Sequence, residues 1–123
     1  MSEYPEIKDA IEFIRKHEGF TTHSDEDLQK LIAECAAMNT LEYTIDRESG
    51  LLNGICLFRV LRHMKIMYIE GIIAENKEIM HHFLAVYNKL FPGFQVFGTR
   101  EGVLVDFTRK LNLLFKKINY KII

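Results

Sequence analysis

The sequence has no apolar run that approaches the roughly 20 residues needed to span a membrane as a helix. Its first residues, MSEYPEIKDAIEF, also lack the basic and apolar regions of a signal peptide. These absences argue against a membrane or secreted protein, so we expect a cytoplasmic one. The chain has 123 residues, of which 48% are apolar and 27% are charged, and this is an ordinary size and composition for one globular domain.

Proline and cysteine are also scarce. There are two prolines and no internal repeats, so we expect no linker and a single domain over residues 1–123. The two cysteines, Cys35 and Cys56, lie in an apparent helix and an apparent strand without metal-ligand spacing, which predicts reduced, buried thiols.

His81 and His82 are adjacent on a predicted helix, about 100° apart, so they cannot share one metal as residues i and i+4 do. We therefore expect no metal site.

The net charge of −1 conceals an uneven distribution along the chain. Residues 1–48 carry twelve acidic and five basic side chains, whereas residues 107–123 carry five basic side chains and no acidic one. Two interpretations of this basic C-terminal segment stay open: a solvated cationic face near the acidic helices, or a contact surface for nucleic acid, an acidic protein or phosphate. Its basic residues are Arg109, Lys110, Lys116, Lys117 and Lys121.

The first third of the sequence predicts two amphipathic helices. Residues 5–17 have apolar side chains at helical spacing, and Pro5 suits a first helical turn. Residues 24–38 form the second, with Ser24 as N-cap and acidic residues at 25–27 that complement the helix dipole.

Three strands are predicted next, at 41–46, 54–61 and 66–73, separated by polar turns. The second and third are apolar on both faces, so we expect them to lie centrally in a sheet that is covered on each side. Gly71 interrupts the third strand, and an isolated glycine there predicts a bulge or the close approach of another group.

The rest of the chain predicts a helix, a strand pair and a basic end. NKEIMHHFLAVYNKLFPG is a helix with Ile79, Phe83, Val86 or Tyr87, and Leu90 on its buried face. Strands at 94–99 and 103–107 are joined by a tight turn. The apolar spacing after residue 107 favours a basic amphipathic helix, although its β-branched residues would also suit a strand.

This order of elements, and the run YIEGIIAENKEIMHHFLAVYNKL in particular, resembles the GNAT superfamily of acyl-coenzyme A dependent N-acetyltransferases. The run resembles the fourth strand and third helix of that family, and the resemblance in element order covers residues 5–99. It implies an α+β fold with a mostly antiparallel central sheet flanked by helices.

In that family the fourth strand is bulged and diverges from the fifth, so that unpaired backbone groups meet the pantetheine chain. The first N–H groups of the next helix bind the pyrophosphate. The resemblance thus implies coenzyme contacts at Ile72, Ala74, Glu75, Asn76 and Lys77 of this chain. It also implies Glu70 as a general base. The alternative for Glu70 is a residue that faces solvent or pairs with Arg59 or Lys65.

The loop before the predicted helix departs from the family pattern. The family uses glycines there to let the backbone close on phosphates, whereas AENKE is shorter and has none. Glu75 and Glu78 would place negative charge beside the pyrophosphate, with Lys77 as the compensating cation. We therefore expect the fold to be kept and acetyl-coenzyme A binding to be weak or lost.

Three functions are compatible with these features. The first is a GNAT-like domain that binds acetyl-coenzyme A weakly or has no cofactor, and that acts through protein interactions. Small divergent members are frequent in phage genomes, so a phage protein in the host cytoplasm or the virion is implied. The second is an active acetyltransferase using acetyl-coenzyme A, and the third is a nucleic-acid-associated protein that uses the basic segment.

The chain is also rich in apolar side chains, nine Phe and five Tyr among them. This content predicts either an oligomer or docking surface, or a well-filled core.

Overall fold

The structure, a computed structural model, describes residues 5–100 and 103–113. Within this part of the chain the strands form one five-stranded mixed sheet flanked by helices, in the order β1-β2-β3-β4-β5, so the protein has an α+β fold. The elements are α1 (Ile7–Lys16), α2 (Asp25–Ala37), β1 (Leu41–Ile45), β2 (Leu52–Leu61), a 3-10 turn (Arg62–Met64), β3 (Ile66–Ala74), α3 (Lys77–Leu90), β4 (Gln95–Arg100), β5 (Val103–Asp106) and α4, described over 108–113.

The two predicted N-terminal helices are confirmed, with ends one or two residues inside the predicted ones. The Ser24 side chain accepts a hydrogen bond from the backbone N–H of Asp27, which satisfies one of the unpaired donors of the first turn of α2. Acidic residues lie in that turn, where the helix dipole stabilises negative charge.

The three consecutive strands predicted after these helices are also confirmed, and they form an antiparallel meander. β2 pairs with β1 on one side and β3 on the other. Successive side chains of a strand point to opposite faces, so Ile55 and Leu57 pack under α1 and α2, whereas Cys56 and Phe58 pack under α3. This explains why β2 is apolar at every position of its centre.

The core consequently has two parts, one on each face of the sheet. The larger is formed by α1, α2, β1 and β2, and the smaller by α3, β2 and β3. The smaller part is closed by partly buried aromatic residues after α3, Phe91 and Phe94.

One residue of α3 was placed wrongly by the sequence pattern. Leu90 was predicted on the buried face, but its side chain is 56% exposed. The buried face consists of Phe83, Leu84 and Tyr87. Phe91, four residues after Tyr87, packs against the smaller core at the end of the helix, so it occupies the place that Leu90 was expected to fill.

The last strands complete the sheet. β4 runs parallel to β3, and β5 pairs with β4 as an antiparallel strand. The described part of α4 agrees with the predicted helix, whereas residues 114–123 lie outside the described ranges. Within those ranges, the helices are too short or too polar to cross a membrane.

Candidate functional site

β3 contains a bulge at Glu70. Consecutive residues of β2 pair with Gly71 and Ile69 of β3, so Glu70 between them is an extra residue. Glu70 and Gly71 therefore face the same side of the sheet, where the Glu70 carboxylate contacts Arg59 and Gly71 lies under the loop after α1. The bulge predicted near Gly71 is confirmed.

β3 and β4 part immediately after this bulge. The parallel ladder between them has four residue pairs and ends at Ile69 and Gly98. β3 continues to Ala74 beside β2, while β4 continues to Arg100 beside β5. α3 connects the end of β3 with the start of β4, so a helix bridges two adjacent strands that diverge at one end.

The divergence opens an apolar cavity of about 280 Å³, which we name the β3–β4 cleft. Beyond Ile69, no strand of the described chain pairs with β3 on this side, so residues 70–72 border the cleft. The cleft is lined by residues 69–72 of β3, Met80 and Leu84 of α3, Gly98 and Thr99 of β4, and Phe107 and Leu111 from the segment after β5.

The Glu70 carboxylate is held by Arg59 on the opposite face of the sheet from α3. The Arg59 Nε donates to Glu70 Oε1 at 2.7 Å, and its Nη2 donates to Glu34 Oε2 at 3.1 Å. The hydrogen bond to Glu70, together with the weaker influence of Glu34, raises the pKa of the Arg59 guanidinium. In the structure Glu70 is therefore paired with Arg59, which was one of the alternatives that the sequence left open.

The loop between α1 and α2 covers β3 beside the bulge. The Phe20 ring lies against Gly71, so closely that a Cβ on residue 71 would collide with it. Arg15 holds this loop: its guanidinium donates to the carbonyl oxygens of Phe20 at 2.8 Å and His23 at 2.6 Å, and to Asp25 at 3.1 Å. Residue 71 must therefore lack a side chain for the Phe20 ring to approach β3. The close approach of another group was one of the two outcomes that this glycine predicted.

The predicted coenzyme residues lie together at the junction of β3 and α3. The Glu75 backbone N–H donates to the carbonyl oxygen of Asn53, which holds the junction against β2. Asn76 is the N-cap of α3, and its side chain accepts from the N–H of Ile79 at 3.0 Å. Lys77 is the first residue of the helix and is exposed. The side-chain cap thus engages one of the N–H groups that an incoming anion would need.

Burial makes the two thiols and the inner tyrosine poor participants in proton transfer. Burial raises the pKa of Cys35 and of Cys56, and both thiols are free. Burial, together with the nearby Cys56, also raises the pKa of Tyr87. All three groups are consequently protonated at neutral pH.

The basic segment is described only in part. Arg109 and Lys110 are exposed on α4, the helix that follows β5. The predicted coenzyme residues lie elsewhere in the chain, where β3 meets α3. Lys116, Lys117 and Lys121 lie outside the described residues, so the interaction role of this segment stays a prediction. In the described ranges, no group of three or more His, Cys, Asp and Glu residues could hold a metal ion.

Three cleft residues carry a role that the sequence did not suggest: Gly98, Phe107 and Leu111. A Cβ on residue 98 would lie 2.9 Å from the Phe107 ring, so the missing side chain lets that ring approach β4. The isolated glycine in a predicted strand was an available signal for such an approach, but it did not identify the partner.

No protein-family model, curated protein or solved structure matches this chain.

Proposed function

We propose that the protein is a divergent GNAT-like domain that keeps the parted sheet of that superfamily, binds acetyl-coenzyme A weakly or not at all, and acts through association with proteins. The observation that carries this proposal is the end of the parallel ladder at Ile69 and Gly98, with a bulge beside it and a helix bridging the two strands. This combination is what the family resemblance implies for the segment YIEGIIAENKEIM.

The start of α3 supports the loss of coenzyme binding. The junction has no glycine, its cap is the Asn76 side chain, and Glu75 and Glu78 flank the exposed Lys77. Carboxylates close to a pyrophosphate repel it, and one exposed lysine offsets only part of that repulsion.

Exposed apolar side chains support association. Leu51, Val103 and Leu104 are 62–68% exposed, and the latter two lie on β5, at the edge of the sheet. An apolar edge strand is a template for pairing with another chain. A second copy of the protein is the first partner to test, because most soluble oligomers are homo-oligomers.

Calorimetric titration with acetyl-coenzyme A tests the loss of binding. We expect no saturable heat and an unchanged melting temperature at roughly millimolar ligand, since ligand that binds only the folded state raises its stability. Binding in the micromolar range would contradict the proposal. Glu78→Gln should strengthen and Lys77→Gln should weaken any residual affinity, whereas Glu26→Gln, on α2, serves as a charge-matched control.

Sedimentation velocity tests the association. We expect a species heavier than the 14.4 kDa chain, and its proportion should rise with protein concentration. Leu104→Ser should reduce it, and Leu90→Ser, which is equally apolar and exposed but lies on α3, should not. A monomer at every concentration would remove the second copy as the partner.

The position of Glu70 favours a second candidate, an active acetyl-coenzyme A dependent acetyltransferase. Its carboxylate sits at the bulge where the strands part, and a base at this point would face an amine bound on the α1–α2 side. Transfer of a radiolabelled acetyl group to amine acceptors tests this. Glu70→Gln should lower the rate by about 10²-fold or more, and Glu34→Gln should retain it.

A further inference from the structure

Two cavities adjoin beneath α3, one with a mainly apolar lining and one in which Asn88, Thr108 and Asn112 stand among apolar residues. The first is the β3–β4 cleft. The second, which we name the inner cavity, has a volume of about 100 Å³ and lies between α3, the paired ends of β3 and β4, and α4. Ile69, Leu84 and Leu111 line both. The two volumes, about 280 Å³ and about 100 Å³, together fall at the lower end of the roughly 300–1,000 Å³ usual for small-molecule sites.

Most side chains that line the cleft are apolar, and its polar groups are the Thr99 hydroxyl and the backbone. Ile69, Ile72 and Met80 present hydrocarbon or thioether groups, and the Glu70 carboxylate is turned to the other face of the sheet, where Arg59 binds it. The backbone of residues 70–73 has no β4 partner, so its N–H groups on this side require an acceptor from water or a ligand. A complementary ligand has an apolar chain that ends in an oxygen acceptor.

Positive charge stands at the edge of the cleft. The Arg100 guanidinium carbon lies 5.8 Å from the centroid of the Phe107 ring, and that ring is part of the cleft wall. A ligand that places an anionic group near the parted strands would be attracted by this cation.

We propose that the cleft and the inner cavity together bind one medium-chain fatty acid. The hydrocarbon chain passes Leu84 and Leu111 into the inner cavity, where aromatic residues at its far end, Phe91 and Phe94, contact the terminal carbons. The carboxylate stays at the β3–β4 cleft, near Arg100 and the unpaired backbone. This ligand needs no pyrophosphate site, so its binding goes beyond the proposed function and does not require it.

Calorimetric titration of the full chain with dodecanoate tests the proposal. We expect one equivalent to bind with micromolar affinity, and octanoate to bind at least tenfold more weakly because each buried methylene contributes about a fourfold change. Binding of many equivalents, or no saturable binding at about 1 mM, would overturn it.

Three variants locate the site. Leu111→Trp fills the place where the cavities meet and should weaken dodecanoate binding at least tenfold, whereas Leu113→Trp, exposed on the same helix, should leave it within about twofold. Met80→Trp, at the half-open side of the cleft, should also weaken binding and guards against misfolding of the first variant. Equal affinity in all three variants would overturn the assignment.

The head group is tested separately. Arg100→Gln should weaken binding of dodecanoate several-fold and leave dodecanol binding unchanged, because only the carboxylate interacts with the guanidinium. An equal effect on both ligands would exclude this role for Arg100. Dodecanoate binding and acetyl-coenzyme A binding are measured independently, so failure of one proposal is distinguishable from failure of the other.

Discussion

The first half of β3, residues 66–69, is paired on both sides. In its second half Glu70 is the bulged residue, and residues 71–74 are paired on the β2 side alone within the described chain. Met67 in the first half is 1% exposed, while the other residues of both halves are partly exposed. The same strand therefore serves as core at one end and as the wall of a cleft at the other.

The bulge accounts for this change. An extra residue in one strand disrupts the ladder and bends the strand, and here the disruption falls where the β4 ladder ends. The backbone of the second half is therefore supported by β2 and by packing from the α1–α2 loop, and not by a strand on its other side. Substitutions in and around the two halves should affect stability unequally, most strongly where the strand is paired on both sides.

Truncating a buried-face side chain should lower the free energy of unfolding more in the first half of β3 than in the second. Met67→Ala should lower the free energy of unfolding by about 2–5 kcal/mol, because the side chain is fully buried and leaves a cavity. Ile72→Ala, on the same α3 side but beside the cleft, should cost only about 1 kcal/mol because neighbouring atoms already meet open space. Urea unfolding measures both. Equal losses would mean that the second half is packed as tightly as the first.

A methyl group at residue 71 should destabilise the second half through Phe20. Gly71→Ala should cost about 1–3 kcal/mol, because the added Cβ collides with the ring and the loop held by Arg15 resists displacement. In a double-mutant cycle, Phe20→Ala should remove much of that cost. Strictly additive effects would show that the ring is not the obstacle.

Removing the cation at the bulge should have a smaller effect. Arg59→Met should lower the free energy of unfolding by about 0.2–1 kcal/mol, because the ion pairs with Glu70 and Glu34 are partly exposed to solvent. The loss should shrink at high salt. Lys30→Met, which breaks a more exposed pair with Glu26, is the matched control and should cost less. A larger loss for the control would contradict the ranking.

The smallest effect is the pH-dependent part of a carboxyl interaction beside β5, where α4 begins. The Thr108 hydroxyl, and then its backbone N–H, donate to Asp106 and lower the pKa of that carboxyl below its ordinary value. A lowered pKa stabilises the folded state above about pH 4, and the contribution is lost as the pH falls through the folded-state pKa. Thr108→Val should therefore raise the Asp106 pKa and flatten the pH dependence of stability below about pH 4. The variant also removes the acceptor of the Val96 N–H, and that loss of stability is the same at every pH.

Carbon-detected NMR titration of the carboxyl groups measures that shift. Asp46 is the internal reference, because Ser49 lowers its pKa in the same way in the distant β1–β2 hairpin. A shift of Asp46 in the Thr108 variant, or none of Asp106, would contradict the assignment.

Local sequence patterns predicted most helices and strands, because these elements depend on residues that are near one another in the chain. The Ser24 cap and the three consecutive strands depend on spacing within one helix or between neighbouring strands. The pairing of Glu70 with Arg59 was one of several alternatives that this spacing left open. The exposure of Leu90 could not be predicted in this way. The last turn of α3 passes the edge of the core, and helical spacing carries no information about where the sheet ends.

The cleft itself was predictable only in part. Its β3 wall and the bulge could be predicted from Gly71 and the family resemblance. The opposite wall could not, because Phe107 and Leu111 reach the cleft from beyond β5, and contacts between distant segments leave no periodic signal. The guanidinium of Arg100, expected only in a turn, lies over one of these residues for the same reason.

The sequence by itself determined the helices, the strands, the two-sided burial of β2 and the glycine that admits Phe20. These depend on side-chain polarity and backbone freedom at fixed local spacing. The tertiary structure decided where β3 and β4 part, which face carries Glu70 and what closes the cleft, because a ladder ends where packing from remote segments outweighs one more pair of hydrogen bonds.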